Sequence, residues 1–513
     1  MRVLFLFCLL LWGRLLSSQQ TYFNVQFDYK NYWEYSALST IENDSFYLLP
    51  AASGTPLAAI WDTAFVLKIN KYNATVQYKK IAFFEGQSAV NLRKTSNSDR
   101  FLLQGRKYPG HSGTYVDTDI YVCYLNNDAL DTSNLKIYGF PNRNDNFYRP
   151  LPTSDGGFFS SGWSWDIDAS PSYQSLLLFK CDSNLNQQFL KLYPTNPDRH
   201  YFGLGCVETP DKGFITVGNK RVESFRGNAL VFKTDMEGDI VWWKEIPYNG
   251  DTTYLSFQDI VQKADGTYLI TGIRTFDPQL GPGHETFWLV NMDGDGKVLW
   301  WKEYDPNLYS GWQTITPSLD GNFYACGVAV TYDGSGQQEG YVQHGVISKL
   351  TPEGGLLWHR KYTMSPVLRL YDIFFNVLAT SDGGILCNGS TYENDTTRQN
   401  AWVVKLDGNG CLGPGPGCST DSEEPIELPV GKNSWVAISP NPTSGVVSIT
   451  AQGEHRIEAL RIFDPAGRLL MERQRLQETS VEADLGSAPA GVYVVSVLVD
   501  GVWNVRQVVK TRI

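Results

Sequence analysis

Asp211-Lys-Gly-Phe-Ile-Thr-Val-Gly218 is a polar turn, an alternating apolar run and a closing glycine, and it returns along the chain. The copies are Ser154-Asp155-Gly-Gly-Phe158 to Gly162, Asp265-Gly-Thr-Tyr268 to Gly272, Asp320 to Gly327 and Asp382 to Gly389, with weaker ones at Asp44 and Asp99. Neighbouring turn acids stand 55, 56, 56, 54, 55 and 62 residues apart. A second landmark, an apolar strand ending in a polar residue, falls at Lys68, Tyr124, Lys180, Lys233, Asn291, Lys349 and Lys405, and it also counts to seven. A fixed period of this length is the mark of a repeat architecture.

Each unit holds four short strand candidates separated by Asp-Gly, Pro-Asp or Glu-Gly turns, which supply positive φ or local side-chain caps. In the fourth unit they are Phe202 to Val207, Phe214 to Val217, Ala229 to Lys233 and Ile240 to Ile246. Four antiparallel strands per repeat predict a propeller blade, and seven repeats predict a seven-bladed β-propeller in an all-β chain. Units one to six each have a fourth strand after the second landmark, whereas Lys405 runs into Asp407-Gly-Asn-Gly-Cys411 and the loop Leu412 to Gly417. The seventh unit lacks its outer strand. The alternating segment Thr21 to Tyr29 is expected to supply it, so that no sheet edge is left where the ring closes.

Residues 1–18 run from Met1-Arg2 through an uncharged apolar stretch to Arg14 and Ser17-Ser18. This is the pattern of a secretory signal, too short to span a bilayer. No later stretch is apolar enough to cross a membrane as a helix. The formal charge of −11 argues against nucleic acid, whose binders need clustered Lys and Arg. Outside the signal, seven cysteines spread over the chain do not form a disulfide framework. Cys411 and Cys418 bracket the Pro/Gly loop and are expected to pair in an oxidising compartment.

After a Pro/Gly/Glu-rich linker, 412–433, the composition changes to a compact β-domain over 434–513. It carries Ile438-Ser-Pro440-Asn441-Pro442-Thr443-Ser-Gly445, then Ile462-Phe-Asp464-Pro-Ala-Gly467-Arg468, then Ala490-Gly491-Val-Tyr493-Val-Val, and closes with Gln507-Val-Val-Lys510. In order and spacing these landmarks resemble the type A C-terminal sorting domain of the type IX secretion system of Bacteroidetes-type bacteria. The resemblance implies an Ig-like sandwich that directs transport through the periplasm and across the outer membrane. It also implies the secretion machinery and its sorting peptidase as partners, and a secreted or surface location. The family's turn residues fall on Pro440, Asn441, Pro442, Gly445, Gly467, Gly491 and Tyr493. Read from the residues alone, they are structural, prolines setting an entry turn and glycines standing where strands reverse.

The histidines are scattered singly, with no pair to suggest a metal cage, and Asn291-Met-Asp293-Gly-Asp295-Gly296 has Lys302 where a calcium loop needs Glu. No metal or cofactor is expected. The pairs Trp242-Trp243 and Trp300-Trp301, with Trp358 in register, read as blade packing, both faces of a blade being covered by neighbours. The central channel is the expected place for a site. Six residues before the turn acid, the first strands carry Arg149, Gly205, Asp259, Thr314 and Asn376, and the first two units offer Leu38 and Arg93. A ring with Arg149, Asp259 and Asn376 would suit a polar ligand; solvated channel walls are the plainer alternative. The functional expectation is an exported binding protein for glycan, peptide or matrix. A hydrolase or lyase in the channel and a structural surface component are the alternatives, and no catalytic motif is recognised.

Overall fold

The computed structural model describes residues 22–511 except 28–32, 37, 56–59, 73, 85, 96–99, 109–116, 127–129, 167, 170–172, 195–198, 224–225, 248–251, 277–284, 305–308, 333–340, 365–371, 393–398, 413–425, 428–435, 442, 452–455, 465–468 and 500–501. The signal segment, Cys418, Pro442 and Gly467 therefore lie outside the described residues, as do Thr21, Asp28 and Tyr29 of the expected closing strand. Every helix-or-strand element among the described residues is a strand.

The fourth repeat shows the common plan: His200–Glu208 innermost, then Phe214–Glu223, Arg226–Thr234 and Ile240–Ile246, each antiparallel to the last. Its first three strands run several residues beyond the sequence-derived bounds, because strand pairing continues past the apolar core of each segment. The seventh blade is built from both ends of the propeller. Ile373–Ala379, Ile385–Tyr392 and Gln399–Leu406 are joined by Phe23–Phe27, which pairs antiparallel with the third strand from Phe23↔Lys405 to Phe27↔Ala401.

Apolar residues of each blade meet those of the next in seven separate seams. One joins blades 1 and 2 around Val66 and Leu103, and the series continues through blade 7, whose Phe23, Leu386 and Val403 meet Tyr47 and Phe65 of blade 1. Seven seams for seven blades make a closed ring.

Both sequence landmarks have a physical cause. The lysine that ends the third strand reaches back to the acid of the turn between the first two strands: Lys180 to Asp155 at 2.8 Å, Lys233 to Asp211 at 2.6 Å, Lys349 to Asp320 at 2.7 Å and Lys405 to Asp382 at 3.1 Å. Burial raises the Asp155 carboxyl, but hydrogen bonds from Lys180, Thr153 and the Gly157 amide outweigh it and hold the group at about 2. Lys233 and Thr209 do the same for Asp211.

The closing glycine answers a bulge. In blades 2, 4, 5, 6 and 7 the pairing of the first two strands shifts at Ala89/Asn91, Gly203/Gly205, Phe257/Asp259, Trp312/Thr314 and Phe374/Asn376. The bulged strand pushes a carbonyl onto its neighbour, and a Cβ on Gly105, Gly218, Gly327 or Gly389 would collide with the carbonyl oxygen of Ser88, Phe202, Gly311 or Ile373.

The tryptophans divide by face. Trp242, Trp300 and Trp358 pack against the turn glycines Gly296, Gly354 and Gly410 of the following blade. Trp243 stacks on Phe232 within its own blade. Trp301, expected to be buried, is 53 % exposed, because on the outermost strand of its blade its ring is covered by the Arg274 guanidinium at 5.9 Å rather than by a packed aromatic like the one beneath Trp243.

The C-terminal domain pairs a three-stranded sheet (Val436–Ser439, Val446–Ala451, Ser480–Asp484) with a four-stranded one (Leu469–Arg473, Ile457–Phe463, Gly491–Val499, Val502–Lys510). One apolar core, including Val447, Ile449, Ile462, Tyr493 and Val495, lies between them as in an Ig-like sandwich. Within the expected linker, Ile426–Glu427 pairs in parallel with Tyr362 and Thr363 of blade 6's outer strand.

Candidate functional site

The bulges fix which inner-strand residues are equivalent. Arg149, Gly205, Asp259, Thr314 and Asn376 occupy one level, and blade 2 contributes Asn91 there, directly after its bulge. Arg93 lies two residues further towards the turn. In blade 1, Ser39 Oγ accepts from Leu92 N at 2.6 Å, just as Asp259 Oδ2 accepts from Ile315 N at 3.2 Å, so Ser39 rather than Leu38 is the register mate. Sequence counting missed both because the turn of blade 1 is one residue shorter and that of blade 2 one residue longer than in blade 4, as Ile41 opposite Leu48, Arg93 opposite Leu102 and Val207 opposite Ile215 show.

At this level the side chains stitch blades together. Asp259, 9 % exposed, accepts from Thr314 Oγ1 at 2.6 Å and from its neighbour Ile260 N at 3.0 Å. Asn376 Nδ2 donates to Asn388 Oδ1 at 3.1 Å and to Thr40 Oγ1 of blade 1 at 3.4 Å. Arg149 goes furthest. From blade 3 it crosses the axis to Asp259 Oδ2 at 3.3 Å, and its Nη2 donates to Gln313 O at 2.9 Å and Phe375 O at 3.1 Å. One guanidinium thus touches blades 5, 6 and 7 and bars the middle of the channel. Blade 4 makes room, since a Cβ on Gly205 would press within 2.7 Å of Asp259 Cα.

The expected residues therefore share one level, but Arg149 is engaged by Asp259 and two backbone carbonyls and Asn376 by Asn388 and Thr40. Arg149→Ala strips a buried carboxylate of its ion partner, which costs about 3 kcal/mol or more. The midpoint of urea unfolding should fall accordingly, whereas an unchanged midpoint would show that the crossbar carries no load.

The two ends of the ring differ. One carries the short Asp-Gly turns between first and second strands, with Gly156, Gly266, Gly321 and Gly383 at φ 82° to 84°. The other carries the connections between second and third strands, which range from residues 224–225 in blade 4 to 109–118 in blade 2. At this loop-bearing end an aromatic group spans blades 3 and 4. Trp163 meets Phe202 edge-on at 6.4 Å, Arg221 lies over Phe202 at 5.6 Å, and Tyr173 meets His200 at 5.4 Å. Trp165, beside Trp163 on the same face of its strand, is 36 % exposed. Sequence reading passed over this group, though the spacing Trp163-Ser-Trp165 at a strand end was its signal.

Among the described residues no group of three or more His, Cys, Asp or Glu is placed to hold a metal ion. Buried thiols at Cys123 and Cys206 are pushed up to about 12 by desolvation, which removes their nucleophilic form. Cys411 takes part in a disulfide; Cys418 lies outside the described residues, and we propose it as the partner.

In the C-terminal domain the motif residues converge at one end. Asn441 Oδ1 accepts from Val509 N at 2.8 Å, and Thr443 exchanges backbone bonds with Val509 O and Thr511 N at 2.8 Å each, tying the entry loop to the last strand. Tyr493 is fully buried and its hydroxyl donates to Pro489 O at 2.7 Å, a tyrosine corner; its strand pairs with the last one at Val508. Gly491 stands opposite Lys510 at the start of that pairing. Gly445 follows the loop, its amide held by Thr443 Oγ1 at 3.0 Å, and Pro440 sits in the loop after a cis peptide bond.

Residues 437–511 match the family described as the secretion system C-terminal sorting domain. No curated protein matches the chain. Solved structures resemble the propeller at low identity. A protein of unknown function from Dyadobacter fermentans is 12 % identical, with TM-score 0.41 over 62 % of this chain and 93 % of its own. The β-propeller domain of the trilobed protease of Pyrococcus furiosus is 8 % identical, with TM-score 0.39 over 71 % and 94 %. An ulvan lyase is 9 % identical, with TM-score 0.41 over 77 % and 93 %. No helix among the described residues is long and apolar enough to cross a membrane. The chain is a β-propeller fused to a type IX secretion-system sorting domain, and that domain exports it to the cell surface or beyond.

Proposed function

We propose that the propeller is an exported binding module and that its ligand, a glycan, docks on the loop-bearing end over blades 3 and 4. The observation that supports this reading is the aromatic group of Trp163, Trp165, Phe202, Tyr173 and His200 with Arg221. Flat, partly exposed rings beside a planar guanidinium suit the apolar face and hydroxyl rim of a sugar ring. Unequal loops on a rigid scaffold are where a binding protein varies its contacts. The crossbar through Arg149 leaves the end of the ring, rather than its middle, for a bulky ligand.

Screening the purified chain on a glycan array should give a restricted set of binders. Trp165→Ala should weaken binding to them by about tenfold, the stacking of one ring being worth roughly 1 kcal/mol or more, with the melting temperature unchanged. An empty array, or equal binding by Trp165→Ala, would move the function away from this face.

A further inference from the structure

The channel holds one more positive charge than its contacts neutralise. Arg149 is paired with Asp259, whereas Arg93, which lies beside them, has no ion pair among the described residues. Arg93 Nε donates to Pro150 O at 2.9 Å and Nη1 to Leu92 O at 3.2 Å, both uncharged acceptors. Its Nη2 has no acceptor among the described residues and is not among the atoms closed off from solvent. Arg149 Nε, by contrast, is buried and also lacks an acceptor. Two donors of one cationic pair are thus unspent within a narrow channel.

Burial, and then the charge of Arg149, pull Arg93 down to about 10, against the pull of Asp259. It still carries its charge at neutral pH. A guanidinium with free N–H groups in a low-dielectric channel is matched best by an oxyanion, which accepts two parallel hydrogen bonds and returns the cluster to neutrality.

We propose that Arg93 is the anchor of a second site, distinct from the loop-bearing face, that binds the carboxylate or sulfate group of a small or terminal ligand. Arg93 stands two residues nearer the turn-bearing end than Asn91, so the ligand enters from that end, with the Arg149 crossbar as the floor. At this depth the other inner strands carry Ile41, Leu151, Val207, Val261, Thr316 and Leu378, so the guanidinium is the one charged group among these positions.

The test titrates the full chain with sodium sulfate and with sodium glucuronate, holding ionic strength constant with chloride, and reads the melting temperature and the heat of binding. At least one of the two is expected to raise the melting temperature and bind; which one does distinguishes a sulfate ligand from a carboxylate. Arg93→Gln should lose at least tenfold in affinity. Arg93→Lys, which keeps the charge but not the fork, should retain part of it and covers the case in which Arg93→Gln fails to fold. Trp165→Ala should bind the oxyanion as wild type does. No response of the wild type to either salt beyond the chloride control, or equal affinity in Arg93→Gln, overturns the proposal.

Discussion

A chain that starts at Tyr32 should melt roughly 10 °C below the full propeller and should aggregate. The missing strand, Phe23–Phe27, makes the last ladder of blade 7 and part of the seam with blade 1. Phe23 and Phe27 are both buried, Phe27 edge-on against Phe65 at 5.7 Å, and each is worth about 1.5–3 kcal/mol on burial. Asn24 spans the other face. Its Oδ1 accepts from Trp402 Nε1 at 2.7 Å and its Nδ2 lies 2.8 Å from Met364 Sδ of blade 6, so deletion also orphans a buried indole. For a domain of this size a few kcal/mol moves the midpoint by about 2 °C or more per kcal/mol. The bare edge of Gln399–Leu406 would then be free to pair with another chain. Differential scanning calorimetry with light scattering reads both effects. An unchanged melt would mean that the ring is held shut without this strand.

What the sequence disclosed and what it hid follow one rule. Features repeated in most blades were legible because each copy obeys the same local physics. The turn acid and the strand-ending lysine recur because they pair, as Lys233 does with Asp211, and the closing glycine recurs because a bulge carbonyl occupies the space of its side chain. The missing outer strand of blade 7 was legible by the same count.

Contacts between repeats were not. Nothing in the spacing says that Arg149 crosses the axis to blades 6 and 7, since its partners there are backbone carbonyls, which any residue supplies. The level of Ser39 and Asn91 was hidden because the first two turns differ in length from the later ones, so a fixed count back from the turn acid lands at another level. Trp301 misled for the opposite reason. Its repeat-mate Trp243 is packed against Phe232, and the identical dipeptide gave no sign that Trp301, with Arg274 over its ring, stays half exposed.

In the C-terminal domain the motif was read as turns; of the described motif residues, Pro440 lies in the entry loop, Gly445 just after it, and Gly491 begins the strand that pairs with the last one. The tie from Asn441 to Val509, 68 residues apart, is the tertiary fact beneath it. It joins the first landmark to the last, so a substitution at Asn441 reaches the strand that ends the domain.

Delivery is the central claim, and a single fractionation measures it. In a host with the type IX machinery, a chain ending at Cys418 keeps all seven blades, because the last strand of blade 7 ends at Leu406 and the closing strand lies at the other terminus. It should fold, cross the inner membrane and accumulate in the periplasm, while the full chain reaches the surface or medium. Residues 420–513 placed behind a folded reporter with a signal peptide should carry that reporter to the same destination. The account predicts near-complete loss of the truncated propeller from the surface and medium fractions, with the protein recovered folded from the periplasm. Truncated propeller at the surface in wild-type amounts would contradict it.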